Sequence, residues 1–184
     1  MLVTTALIVI GGLPGTGKTT LSRLLAARIG AVHLRVDTIE QALVRSGLAQ
    51  HPVGPAGYVV GYALAEEHLR QGLTVIAESV NPLAVTRDSW RDAGAGAGVP
   101  VVEVEVICSD PAEHRHRVTS RSVDIPGLPL PDWQQVRRRD HEPWNREHIT
   151  LDTAGEGPQD SLNSLLHQLD RLRLLAPARP PEAS

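Results

Sequence analysis

The sequence predicts an α/β protein, a five-stranded parallel sheet covered by helices on both faces. Two observations carry this. Short β-branched runs alternate with amphipathic helical stretches along the chain, which is the pattern of strands buried on both sides. The length of 184 residues, 41% of them apolar, suits one core and one domain.

The elements follow in order. The apolar opening from Met1 to Ile10 has no positive flank and is too short to span a bilayer, so Ala6–Ile10 is read as a buried strand rather than a signal or anchor. A helix over Lys18–Ile29 and a strand over Ala31–Val36 come next, then a helix over Tyr58–Gln71 and a strand over Leu73–Ala77. A helix over Leu83–Ala93 runs into the Gly/Ala alternation Gly94–Gly98, which predicts a flexible turn. The strand Val101–Ile107 and helix Pro111–Arg121 precede a proline-rich segment, Ser122–Pro131, of the kind that forms lids. The strand His148–Leu151 and a helix over Gln159–Leu175 complete one domain over residues 1–175, with the lid at about 122–131 and a disordered tail over 176–184.

Composition narrows function. Eighteen basic against 21 acidic residues give a net charge of -3, which argues against nucleic-acid and anionic-membrane partners. The single cysteine, Cys108, makes neither an intramolecular disulfide nor a cysteine metal cluster, and points to the cytoplasm. Asn145 stands where an H-E-x-x-H motif starting at His141 needs its second histidine, so no zinc site is expected. The expected partner is a small molecule, bound by a monomer or homodimer.

The segment Gly12-Leu13-Pro14-Gly15-Thr16-Gly17-Lys18-Thr19 matches G-x-x-x-x-G-K-[ST] in full, between an apolar strand and a helical pattern. Its glycines let successive N–H groups turn inward around a phosphate, with the helix N-terminus adding positive potential. Lys18, the one lysine of the chain, is placed on the β- and γ-phosphates of ATP, from a solvent-facing loop. Thr19 offers a hydroxyl to Mg²⁺ and Thr20 one to the α-phosphate. No lysine follows residue 18, so the guanine-reading Asn-Lys-x-Asp of regulatory GTPases is absent, and the chain has no room for the helical domain of large mechanochemical ATPases. A small phosphotransferase remains, or a nucleotide-binding module without transfer chemistry.

Together with Leu34-Arg35-Val36-Asp37-Thr38, with Val75-Ile76-Ala77-Glu78-Ser79-Val80-Asn81-Pro82 and with the arginine-bearing approach to the lid, this loop resembles the small P-loop kinases. That group includes gluconate, shikimate, adenylylsulfate and chloramphenicol kinases and the zeta-toxin type. The similarity is strongest to a branch of predicted kinases often called AAA-family ATPases. The resemblance implies a nucleoside-monophosphate-kinase-like P-loop NTPase fold and transfer of the ATP γ-phosphoryl to a hydroxyl of a sugar, nucleoside, antibiotic or similar molecule. It also implies roles. Asp37 contacts the acceptor hydroxyl as base or positioner, against the alternative of a helix cap for a helix starting at Thr38. Glu78 is the Walker-B-like carboxylate, orienting water on Mg²⁺ or touching the acceptor. Asn81, beside Ser79, reads acceptor hydroxyls or merely caps a turn. Arg117 stacks on adenine while Arg121 reaches the phosphates. Arg137, Arg138 and Arg139 fan out around a helix, so at most one or two of them face the site; Arg139 is placed there, since the following Asp140-His141-Glu142-Pro143-Trp144 resembles the lid-closing segment of that branch, against the alternative of a solvated charged face. Asp152 opens the loop under the base, or a simple turn. The competing function is a P-loop ATPase that hydrolyses slowly and acts through a partner.

Overall fold

The computed structural model describes residues 4–174, so the tail expected over 176–184 lies outside the described residues. Five strands, β1 (Leu7–Gly11), β2 (Val32–Arg35), β3 (Val75–Glu78), β4 (Val101–Ile107) and β5 (Ile149–Asp152), form one sheet in the order β2-β3-β1-β4-β5. Every neighbouring pair is parallel, with Leu7 of β1 aligned on Val75 of β3 and on Val101 of β4. The helices are α1 (Lys18–Ile29), α2 (Val36–Arg45), α3 (Ala56–Arg70), α4 (Ala84–Gly96), α5 (Pro111–Ser120), α6 (Trp133–Arg137) and α7 (Pro158–Arg171).

All five residues of β1 are buried because the strand lies at the centre of a sheet covered on both sides. Ile8 and Ile10 pack with Leu21 and Leu25 of α1 and Leu165 and Leu169 of α7, while Leu7 and Val9 pack with Ala65 of α3 and Trp90 of α4. The central strand therefore ends in the phosphate loop with β3 and β4 alongside, and in parallel sheets ligands bind at this carboxyl edge, where the strand order changes direction.

Two expectations are corrected. The strand read as Ala31–Val36 stops at Arg35, and α2 begins at Val36, which puts Asp37 in the first helical turn rather than at a strand end. Arg35 is the residue preceding that helix and no side chain caps it, so the capping role considered for Asp37 is not what the structure holds. The Gly94–Gly98 turn is mostly helix, since α4 continues to Gly96. A Cβ on Gly94 would meet Val101 Cγ2 at 2.2 Å, so the glycine serves close packing of α4 on β4, and the chain reverses at Gly98 with φ 71°.

Arg87 ties the segment after α6 to the body of the fold. It is 1% exposed, and its guanidinium donates to the carbonyls of Asn81 (3.2 Å), Pro82 (2.9 Å), Pro143 (3.2 Å) and Glu142, while lying 4.4 Å from the Trp144 ring centre. Replacement by leucine leaves the buried Asn81 carbonyl and three part-buried ones without this donor, a loss of about 1 kcal/mol each. Arg87→Leu is expected to lose about 3–4 kcal/mol and to lower Tm by about 10 °C in calorimetry.

Candidate functional site

A cleft of about 1420 Å³ opens over the carboxyl edge of the sheet, floored by the phosphate loop and walled by α2, α5, the 122–131 segment and the loop after β5. Gly12 (φ 148°) and Gly15 (φ 86°) occupy backbone conformations that favour glycine, and a Cβ there would lie 2.3 Å from the Val106 carbonyl oxygen and 2.5 Å from Val118 Cγ2 respectively. The loop thus folds tightly enough for the first turn of α1 to present its free N–H groups to an anion. Gly12 and Thr16 are buried beneath it; Thr16 bonds through its hydroxyl to the Leu13 carbonyl at 3.0 Å, while Gly15, Gly17, Lys18, Thr19 and Thr20 line the cleft.

Lys18 is not solvent-facing as its loop position suggested. It is 7% exposed, and its ammonium donates to the Leu13 carbonyl at 3.3 Å. Burial lowers its pKa, opposed by Glu78 and Asp37 and reinforced by Arg121 and Arg35.

Glu78, at the end of β3, is 1% exposed and accepts a hydrogen bond from the Thr19 hydroxyl. Its other oxygen lies 2.8 Å from His33 Nε2, and Arg35 Nε lies 3.5 Å away. Burial would raise this carboxyl, but hydrogen bonding to His33, the Lys18 charge, the Thr19 hydroxyl and Arg35 outweigh it and hold Glu78 below its ordinary value. His33, on β2, was missed by sequence reasoning; its only signal is a polar residue in a short strand paired with β3.

Arg117 of α5 and Arg121, the extended residue just past the end of that helix, both line the cleft. Arg117 donates to the Thr153 hydroxyl (2.7 Å) and carbonyl (2.8 Å) and pairs with Glu113, and its guanidinium lies 3.8 Å from the Cβ position of Gly17. Thr153, another residue that sequence reasoning missed, donates in turn to the Thr16 carbonyl at 2.8 Å, linking the loop after β5 to the phosphate loop. Arg121 Nε and one terminal nitrogen are buried without a partner among the described residues, and burial lowers its pKa while Asp37 raises it. Two other predicted site residues lie away from the cleft lining. Asp152 accepts from the backbone N–H groups of Ser109 and Ala154, both at 3.0 Å, and ties two loops together. Asn81 is 1% exposed in the left-handed region (φ 53°), and its N–H donates to the Tyr58 hydroxyl at 3.1 Å.

The remaining wall carries carboxylates. Asp37 faces the cleft with a single charged partner, Arg35, at 3.5 Å. Glu40, also unforeseen, lies one turn further along α2, and Arg139 lines the same cleft, whereas Arg137 and Arg138 border a separate depression with Arg115 and Trp133. Burial, with Asp37 adding to it and Arg139 opposing it, raises the Glu40 carboxyl from 4.5 to about 7. A carboxyl raised on folding holds its proton more tightly in the folded state, so its contribution is full below about pH 4.5 and is lost as pH rises through about 7. Glu40→Gln is therefore expected to match the parent at pH 4 and to exceed its stability by about 1–2 kcal/mol at pH 8 in urea unfolding, solvent screening having reduced the full effect.

The 122–131 segment is latched across this cleft. Asp124 pairs with Arg35 at 2.6 Å and with Arg23 at 2.7 Å. Burial would raise Asp124, but the two guanidiniums hold it below its ordinary value. Removing the latch in Asp124→Ala, a loss of about 1 kcal/mol, is expected to speed amide exchange of residues 122–131 about fivefold.

Among the described residues no helix is long and apolar enough to cross a membrane, and no three His, Cys, Asp or Glu side chains form a metal cluster of their own. A search of curated proteins finds no match. Solved structures do match. The gluconokinase of Sinorhizobium meliloti 1021 is similar with a TM-score of 0.65 at 17% identity, over 92% of this chain and 94% of that one. The Mycobacterium tuberculosis APS kinase CysC, in complex with AMPPNP and APS, gives a TM-score of 0.66 at 17% identity over 91% and 98%. Chaetomium thermophilum Kti12 in complex with ADP-AlF3 gives 0.65 at 22% identity over 92% and 99%. These likenesses show a P-loop kinase fold. Residues 7–143, more than half of the chain, match the family model described as an AAA domain, and the chain belongs to that family.

Proposed function

We propose that the protein is an ATP-dependent phosphotransferase that moves the γ-phosphoryl group to a hydroxyl of a small-molecule acceptor. The observation that carries this is the pairing, in one cleft, of cations suited to a nucleotide (Lys18 and Arg121 to its phosphates, Arg117 to its base) with carboxylates (Asp37, Glu40) that a triphosphate alone has no use for. Positioning and charge neutralisation supply most of the catalysis in phosphoryl transfer. The acceptor oxygen bonds to the γ-phosphorus as the bond to the bridging oxygen breaks and ADP leaves with the electron pair; the hydroxyl proton passes to Asp37 and on to water. Lys18 and Arg121 hold the transferring phosphoryl, and Arg117 sits where the base enters. The Thr19 hydroxyl and Glu78 carboxylate, oxygen donors in contact with each other, fit Mg²⁺, which takes one or two protein oxygens alongside phosphate. When bound it neutralises charge on the β- and γ-phosphates.

ADP release measured across a panel of hydroxyl compounds tests the reading. At least one acceptor is expected to raise turnover tenfold or more over the acceptor-free rate. The likeness to Kti12, which is not named as a kinase, favours as second reading a nucleotide-hydrolysing module that acts through a protein partner; on that reading ADP release is indifferent to every small acceptor.

A further inference from the structure

The α2 wall of the cleft has a charge pattern of its own. Asp37 and Glu40 stand three residues apart on one helix, which puts their Cβ atoms about 5–6 Å apart on a shared face, and both line the cleft. Among the described residues the Glu40 carboxyl has no hydrogen bond or ion pair, and Asp37 has the single long contact to Arg35. The seat of Glu40 is shaped for it: a Cβ on Gly57 of α3 would lie 2.3 Å from Glu40 Cγ and 3.0 Å from its Oε1. A carboxyl held in a half-buried seat without a partner costs stability, and such a group in a cleft points to a ligand that supplies the missing hydrogen bonds.

Resting on the phosphotransferase reading, we propose that Glu40 selects the acceptor: with Asp37 it grips adjacent hydrogen-bond donors of a neutral or cationic polyhydroxyl compound, a vicinal diol or an amino alcohol, and it rejects compounds bearing a carboxylate, sulfate or phosphate beside the reacting hydroxyl. Asp37 takes the reacting hydroxyl and Glu40 the donor next to it. An anionic neighbour would instead add a third negative charge to the pair. Arg139 is the guanidinium that offsets Glu40, since Arg35 is held by Asp124 and Arg121 acts on Asp37 from the phosphate side. Pro52, Val53, Leu128 and Leu130 line the same cleft and offer apolar surface to the carbon skeleton.

The groups facing Glu40 are Asp37 on its own helix, Arg139 beyond α6 and the Tyr58 hydroxyl of α3, with His51 turned to Gln41 at 3.0 Å. The carboxyl changes charge at about pH 7, so the two donor types separate by pH. KM for an amine-bearing acceptor falls between pH 6 and pH 8 as Glu40 ionises, while KM for a diol falls less steeply, because its hydroxyl gains only a charge-assisted hydrogen bond where the amine gains an ion pair.

The test measures acceptor-dependent ADP release with compounds in matched sets: glucose, glucosamine and glucuronate; glycerol, serinol and glycerate. The best acceptor is expected to be a neutral or amine member. Glu40→Gln is expected to lower its kcat/KM at least tenfold while leaving KM for ATP within about twofold, and Glu40→Asp to restore part of the loss. Retained nucleotide binding shows that each variant is folded. An anionic member as best acceptor, or an unchanged kcat/KM in Glu40→Gln, overturns the assignment of Glu40 and leaves the kinase reading standing. No acceptor-dependent release from any set overturns both.

Discussion

Lys18→Ala is expected to abolish phosphoryl transfer while the protein stays folded. The lysine is buried, and the Leu13 carbonyl is its one hydrogen-bond acceptor among the described residues, so in the absence of nucleotide it is a desolvated charge at the floor of the cleft. Glu78 acts on it only through space, and a phosphate oxygen supplies the hydrogen-bonded anion that this position lacks. Removing a neutral hydrogen-bond donor from a transition-state site costs about 10²–10³ in kcat, and removal of a full charge in a water-poor site costs at least as much. Stability should not fall in step, because the variant also removes a burial penalty; Lys18→Met, which keeps the volume, is expected to match or exceed the parent Tm. Steady-state kinetics beside thermal unfolding checks both halves. A variant that keeps most of its kcat removes the phosphate-loop assignment.

The sheet and phosphate loop were legible because local pattern and global fold agree there. β1 is apolar throughout and buried throughout, and the glycines at 12 and 15 stand where a side chain would collide. Legibility failed where position in space, not chemistry of the residue, decides. Gly94 reads as a turn by composition, yet its lack of a side chain is what lets α4 lie on Val101. Asp152 reads as a ligand-loop carboxylate, but two backbone N–H groups within 3.0 Å claim it. Glu40 and His33 carry no motif; one acquires meaning from the seat opposite Gly57, the other from strand pairing that brings it to Glu78. Arg87 drew no attention as one arginine among 17, and only the fold surrounds it with carbonyls.

Asp37→Asn is expected to lower kcat by about 10²–10⁴, or about 3–5 kcal/mol, with KM for ATP within about threefold. Two carboxylates border the reacting centre, and their surroundings assign them different work. Glu78 is fully enclosed and already engaged by Thr19, His33 and Arg35, which keep it ionised and leave it little freedom to take a proton. Asp37 faces the cleft with one partner at 3.5 Å, so it can meet an incoming hydroxyl and accept its proton. Asparagine retains the size and one acceptor oxygen but loses the charge that aligns the nucleophile. Its structural cost is small, since Asp37 caps nothing, and the lost interaction with the helix dipole is worth about 0.3–1 kcal/mol. Glu78→Gln is expected to behave differently, weakening ATP binding and lowering stability together, because it strips the charge partner from buried Lys18 and Arg35. Should Asp37→Asn keep near-normal kcat while Glu78→Gln loses turnover at unchanged ATP affinity, Glu78 is the base and the two roles are exchanged.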